Sequence, residues 1–301
     1  MYSELGVVIA TKNRHELVKP LLEDLRKQKL VKFPIVVVDS TEVESRIYDF
    51  SESSSSIIHI YSTVKSLTVQ KNIGVQYLRE NFNVKFFAVI DDDVRFTEFY
   101  LSTLLNLLKI NIDFIGIAPG VVETLKTRIK PAGLKGLINR VFLLDSVKGG
   151  RILRSGVNVP LRLDEIKTFT AQELVETEWI YGCAMWRVNG NIFENDLMGQ
   201  SVYEDVLYSS YARKIGKIGV AVNLILNHLE EKQSRPNAYD FTKMWLRNRR
   251  KILEHEPNKY KKRYFIWADF GNLVTNILSP KTKFYIKRQI ISAYLSNHFY
   301  K

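Results

Sequence analysis

Phe86-Phe87-Ala88-Val89-Ile90-Asp91-Asp92-Asp93 is an apolar run of five residues closed by three carboxylates. A β-branched and aromatic segment bounded by charge predicts a buried strand over 86–90. Side chains alternate along a strand, so Asp91 and Asp93 leave the same face. Adjacent carboxylates repel one another unless a cation or donor groups sit between them. Hard oxygen ligands at the end of a parallel strand suit Mg²⁺ or Mn²⁺ carrying a diphosphate. An isolated triplet reads equally well as a solvated acidic turn, so the neighbouring segments decide.

Outward from this run, strand-like and helix-like periods alternate, which predicts a mostly parallel sheet with helices on its faces. Leu5–Ala10 is an apolar strand ended by Thr11-Lys12-Asn13-Arg14. His15–Gln28 carries a helical stripe of Leu17, Val18, Leu21, Leu22 and Leu25, with Pro20 early enough to be tolerated. Ile35–Val38 is a second strand, closed by Asp39-Ser40-Thr41, and Ile57–Tyr61 a third after a serine-rich loop. Leu67–Glu80 is a helix leading into the 86–90 strand. Ligands of open α/β sheets bind at such polar strand ends. Between Val121 and Glu178 the pattern is weak, and Lys148–Arg151 and Arg154–Gly156 read as loops near the site.

The 301 residues, 46% hydrophobic, can bury one large domain plus an extension. A single cysteine, Cys183, excludes an internal disulfide framework and a cysteine zinc site. The start of the chain has no basic and apolar signal pattern, and no long uncharged apolar run predicts a membrane span. These features point to the cytoplasm. The net charge of +12 is concentrated at the end: residues 240–301 hold fourteen Lys/Arg against four Asp/Glu.

Seven segments, in this order, carry a resemblance: VVIATKNR (7–14), VVVDS (36–40), SLTVQKNIGVQYL (66–78), VIDDDV (89–94), YGCAMWRVN (181–189), YEDVLYSSYARKIGKIG (203–219) and NHLEE (227–231). Together they resemble the family-2 inverting glycosyltransferases with the GT-A fold, over roughly residues 5 to 231. The resemblance implies an α/β fold with a Rossmann-like central sheet. It divides the chain into a catalytic domain over 1–235 (nucleotide-sugar part about 1–95, acceptor part about 96–235) and a basic, aromatic-rich helical extension over 236–301.

The resemblance also implies roles. The base and ribose of a UDP-, GDP- or dTDP-sugar fall against Thr11, Asn13, Arg14 and Asp39, with Lys71 and Asn72 where the family usually has Arg-Asn. Lysine keeps the charge there but not the planar fork. Asp91 faces the ribose, Asp92 joins the donor-binding set, and Asp93 binds a divalent metal (Mn²⁺ or Mg²⁺) to which His228 supplies a further ligand. Asp205, second acid of the Glu204-Asp205 pair, is the general base of a single in-line displacement. Tyr181, Gly182, Cys183 and Ala184 lie under the sugar, with Glu204 beside the acceptor. Trp179 and Trp186 are stacking platforms, and Arg235, Tyr239 and Arg247 reach the diphosphate from a lid. As bare features these residues read differently: Asp39 as a strand-end cap, Lys71 as surface charge, Glu204-Asp205 as a helix cap, both tryptophans as core.

The expected function is transfer of a sugar to a hydroxyl of a glycan or lipid-linked acceptor. The alternative is a catalytically silent domain of the same fold, serving carbohydrate binding or assembly. Nucleic acid is not an expected partner, because basic charge alone is permissive and no binding signature is present. The basic tail fits the cytoplasmic face of an anionic membrane, or a pair of packed helices with a solvated face.

Overall fold

The computed structural model describes residues 4–30, 32–46, 49–50, 56–121, 133–162, 174–197, 199–229 and 236–299. The elements expected up to residue 90 are present as β1 (Leu5–Thr11), α1 (His15–Arg26), β2 (Ile35–Asp39), β3 (Ile57–Tyr61), α2 (Leu67–Phe82) and β4 (Phe86–Asp91), and β5 (Val94–Arg95), α3 (Tyr100–Ile110) and β6 (Phe114–Val121) follow. Then follow α4 (Gly133–Val141), a hairpin of β7 (Arg151–Ile152) and β8 (Asn158–Val159), β9 (Leu174–Thr177), β10 (Met185–Arg187), α5 (Glu204–Ala212) and β11 (Lys217–His228). Three helices end the chain: α6 (Ala238–His255), α7 (Lys262–Leu278) and α8 (Phe284–Phe299).

The central sheet runs β3-β2-β1-β4-β10-β6-β11-β5, with β9 joining at β11. Strands β1 to β4 pair in parallel, as do β6 and β11, while β10 is antiparallel between β4 and β6. Every residue of β1 is buried, as a strand covered on both faces requires. Leu5, Val7 and Ile9 meet the apolar stripes of α1 and α3. Val8, Val36 and Val38 meet Val75 and Leu78 of α2 on the other face. Gly74 permits that approach, since a Cβ there would lie 2.4 Å from Val8 Cγ1.

The register levels the strand ends. Thr11 pairs with Asp39, and Ala10 with Asp91. Strand β11 shifts register between Ala221 and Ile225 and runs on to pair His228 with Val94 of β5. The Leu229 amide then donates to Asp93 O at 2.8 Å, so the end of β11 is fixed beside the carboxylates.

The terminal helices are tied into this frame. Asn248 Nδ2 of α6 donates to Val202 O at 2.9 Å, and the buried Arg249 reaches Ser155 O at 3.1 Å. Arg249 also bonds Asp269 of α7. The loops expected at 148–156 are in part the β7–β8 hairpin, whose turn uses Gly156 at φ +74°.

Candidate active site

At the carboxyl ends of β1, β2 and β4 lies a cleft of about 730 Å³, lined by Thr11, Arg14, Ser40, Asp91, Asp92 and Asp93 among others. A second cavity of about 370 Å³ holds Gly182, Cys183, Glu204 and Asp205. Leu67, Asp91, Gln200 and His228 border both, so the two open into each other at the strand end.

In the larger cleft, Asp92 accepts from Thr11 Oγ1 at 2.7 Å and from Arg14 Nη1 at 2.6 Å. Burial pushes Asp92 up to about 6 despite the Arg14 charge. Arg14 Nη1 also lies 3.5 Å from Asp93 Oδ2. Burial raises the pKa of Asp93 as well, opposed first by His228. Gln70 braces the floor, its amide donating to Thr11 O and Val38 O at 2.8 Å each.

Asp93 Oδ1 and His228 Nε2 face each other at 3.3 Å. Two ligands on adjacent vertices of an octahedral ion, each at roughly 2.1 Å, lie about 3 Å apart, so this pair fits a divalent cation. Among the described residues no group of three His, Cys, Asp or Glu side chains is placed to hold a metal alone. A cation at this pair would therefore draw further ligands from water and a bound phosphate, the habit of Mg²⁺ and Mn²⁺ in nucleotide sites.

Lys71, only 1% exposed, donates to Glu204 Oε1 at 2.5 Å and stands 4.0 Å from Asp91 Oδ1. Burial alone would lower its pKa, but the Glu204 and Asp91 charges outweigh it and keep the ammonium charged. Glu204 Oε2 is buried without a hydrogen-bond partner. Asp205, the second residue of α5, is recessed in the smaller cavity while retaining some solvent access. Its Oδ1 accepts from the Val206 amide at 2.8 Å. Burial, reinforced by the neighbouring Glu204 charge, pushes Asp205 up to about 7. Ser201 (φ +57°) and Tyr203 (φ +82°) precede the pair in left-handed backbone, a strained approach of the kind that gathers at functional sites. Tyr203 OH secures it by donating to Gly156 O at 2.5 Å.

Gly182 forms the floor where the cavities meet: a Cβ there would come within 3.4 Å of Asp91 and 3.7 Å of Glu204. Cys183 Sγ lies 3.4 Å from Asp91 Oδ2, and burial beside that charge drives its thiol pKa well upward. It is a packing residue with no thiolate character.

Not every residue singled out in the sequence reaches the cleft. Asp39, with 0% exposure, lies behind Ser40 and accepts from Thr41 N and Oγ1 at 2.8 and 2.5 Å, with His15 Nε2 3.1 Å from its other oxygen. Burial would raise its pKa, but His59, Thr41 and His15 outweigh this and hold it at about 2. Asn13, at φ +54°, donates its backbone N–H to Thr41 Oγ1 at 2.8 Å. Asn72 faces away, bonding Phe193 O at 2.8 Å and Asn195 Oδ1 at 2.6 Å. Trp179 is core, its indole N–H donating to Val159 O, and Trp186 packs edge-on against Tyr208. Tyr239 turns to Ser296 of α8, whereas Asp240 and Met244 line the cleft. Arg235 lies outside the described residues. Gln70, Gln200 and Met244 went unmarked in the sequence. Only Gln70, one residue before Lys71 at the start of α2, had a usable signal in its position.

The profile of glycosyl transferase family 2 matches residues 6–155. No curated protein sequence matches the chain. Among solved structures, residues 1–349 of S. aureus TarS in complex with UDP-GlcNAc align with 97% of this chain and 79% of that one, at 16% identity and TM-score 0.54. Against the longer TarS chain the coverage is 97% and 48%, at 16% identity and TM-score 0.53. The mannosyltransferase PcManGT of Pyrobaculum calidifontis, in complex with GDP-Man and Mn²⁺, aligns over 100% of this chain and 88% of its own, at 10% identity and TM-score 0.54. At these identities the likeness to solved structures is one of fold. The chain belongs to glycosyl transferase family 2 and is a glycosyltransferase of the GT-A fold.

Proposed function

We propose that this chain moves a sugar from a nucleotide-diphosphate donor to an acceptor hydroxyl with inversion, Asp205 acting as general base. The observation that carries this reading is the meeting of the two cavities at Asp91 and His228. The larger one suits a nucleoside diphosphate, with Thr11, Arg14, Asp91 and Asp92 on its wall. The smaller one suits an acceptor, with Asp205 recessed in it.

Residues supply the steps as follows. The acceptor oxygen forms a bond to the anomeric carbon as the bond from that carbon to the phosphate oxygen breaks. The leaving electron pair departs with the diphosphate. The hydroxyl proton passes to the Asp205 carboxylate, whose pKa near 7 makes it an effective base at neutral pH. Gly182 leaves space for the sugar ring over Asp91. Lys71 holds Glu204 in place beneath it and opposes the burial that raises the Glu204 pKa. Asp93 and His228 would hold a divalent cation, which when bound would neutralise charge growing on the leaving diphosphate.

Support for a nucleotide-sugar donor comes from the two structural relatives solved with UDP-GlcNAc and with GDP-Man. Titration of UDP, GDP and dTDP into the protein by calorimetry, with Mn²⁺ and again with EDTA, tests the reading. Metal-dependent binding of one nucleotide is expected. Equal affinity with and without metal would remove Asp93 and His228 from the proposed role.

A further inference from the structure

One flank of the molecule carries apolar side chains open to solvent. Helix α4 exposes Leu134, Leu137 and Val141, whose spacing of three and four puts them on one face. Helix α7 exposes Ile266, Trp267 and Phe270, then Ile277 and Leu278 at its end. The two stripes join. Trp267 Nε1 donates to Val141 O at 2.7 Å, and the Phe142 ring lies 4.9 Å from Trp267 and 6.0 Å from Phe270. Past the α7–α8 turn, Phe284 is 76% exposed. A lone exposed apolar residue means little, but a joined set with Leu134 at 73% and Leu278 at 74% marks an interaction surface.

The charge on the α7–α8 part of this face has one sign. From Pro257 to Lys301 there are nine Lys/Arg and a single acid, Asp269. That acid is buried against Arg249 and Arg250. Lys262 and Arg263 therefore open α7, and Lys281, Lys283 and Arg288 surround its far end, with no acidic side chain among them. A second copy of the chain would bring the same positive charge, which disfavours self-association through this face. Among the described residues no helix is long and apolar enough to cross a membrane.

We propose that the face formed by α4 and α7, with the basic α7–α8 turn, docks on an anionic lipid bilayer and lies in its interface. Trp267, Phe270 and Leu278 enter the headgroup boundary, where amphipathic and aromatic side chains are favoured, and Lys281 and Lys283 meet the anionic headgroups. This surface stands independently of the transfer chemistry above.

Co-sedimentation of the full chain with phosphatidylcholine vesicles, and with vesicles also containing phosphatidylglycerol, tests it. The protein is expected to pellet with the anionic vesicles and to stay in solution with the neutral ones. K281E/K283E should weaken partition about tenfold or more, and F270S/L278S should do the same through the apolar contact. Lys281, Lys283 and Leu278 are exposed and Phe270 is half-exposed, so both variants should remain folded, with cooperative unfolding at a temperature well above that of the assay. The proposal is overturned if wild type ignores both vesicles, or if it binds anionic vesicles and neither variant weakens that binding. Concentration-dependent dimerisation abolished by F270S/L278S, without vesicle binding, would reassign the face to a second copy and equally overturn it.

Discussion

Glu204 and Asp205 are consecutive carboxylates at one helix start, and their surroundings give them different work. Glu204 faces Lys71 inside the protein, while Asp205 faces the cavity. Removing Lys71 would leave Glu204 buried and uncompensated. Such a change costs about 3–5 kcal/mol, against much less when both charges of a buried pair are replaced. Lys71→Met should therefore lower the unfolding free energy by that order in urea titration. The double variant Lys71→Met/Glu204→Gln should recover more than half of the loss. A single variant as stable as wild type would show that the pair does not carry Glu204. At this scale the sequence picked out the carboxylates that the structure gathers at the two cavities, because carboxylates at a strand end and a helix start are local features. It could not say which partner each would meet: Lys71 and Glu204 are 133 positions apart, and Asp39 reads as a ligand until His15 and Thr41 are seen to enclose it.

Among the elements, strands β1 to β4 were legible to within a residue because each is a β-branched run closed by a polar cluster, whereas β5 and β6 were not read. β3 (Ile57–Tyr61) matches throughout, and β4 gains only Asp91. α1 stops two residues short of Gln28, whose side chain instead bonds Thr97 O and the Leu101 amide, an arrangement no periodicity reveals. The β7–β8 hairpin escaped because two-residue strands carry no period to read. What positions the site at this scale is close packing of α2 on β1 at Gly74. Gly74→Ala gains up to about 1 kcal/mol of helix propensity. It also forces a methyl to 2.4 Å from Val8, and overpacking of this kind costs about 1–3 kcal/mol. A net loss of stability is expected by chemical denaturation, relieved when Val8→Ala is added. A stabilised single variant would mean that α2 can lift from the sheet without penalty.

In the whole molecule, three long connections converge on one point. The β1 and β4 ends supply Thr11 and the carboxylates, β11 returns after more than a hundred residues with His228, and α6 holds the approach to Asp205 through Asn248 and Arg249. The terminal helices thus serve two ends, since α6 lines the cleft while α7 faces outward with its apolar side chains. The charge excess of the tail was plain in the sequence. Its division between a buried clamp (Arg249 with Asp269) and an exposed basic rim depends on helix packing and was not.

The central claim is that a base recessed in the acceptor cavity drives transfer from a donor held next door. Asp205 must be ionised to accept a proton and titrates near 7, so activity should rise with pH up to about 7 and level off above it. The most direct test is release of nucleoside diphosphate from the donor whose nucleotide binds, in wild type and Asp205→Asn, across that pH range, with donor affinity measured alongside. The account predicts a loss of about 10²–10⁴-fold in turnover for Asp205→Asn with donor affinity nearly unchanged, and no remaining pH limb near 7. Wild-type turnover in the variant would contradict it.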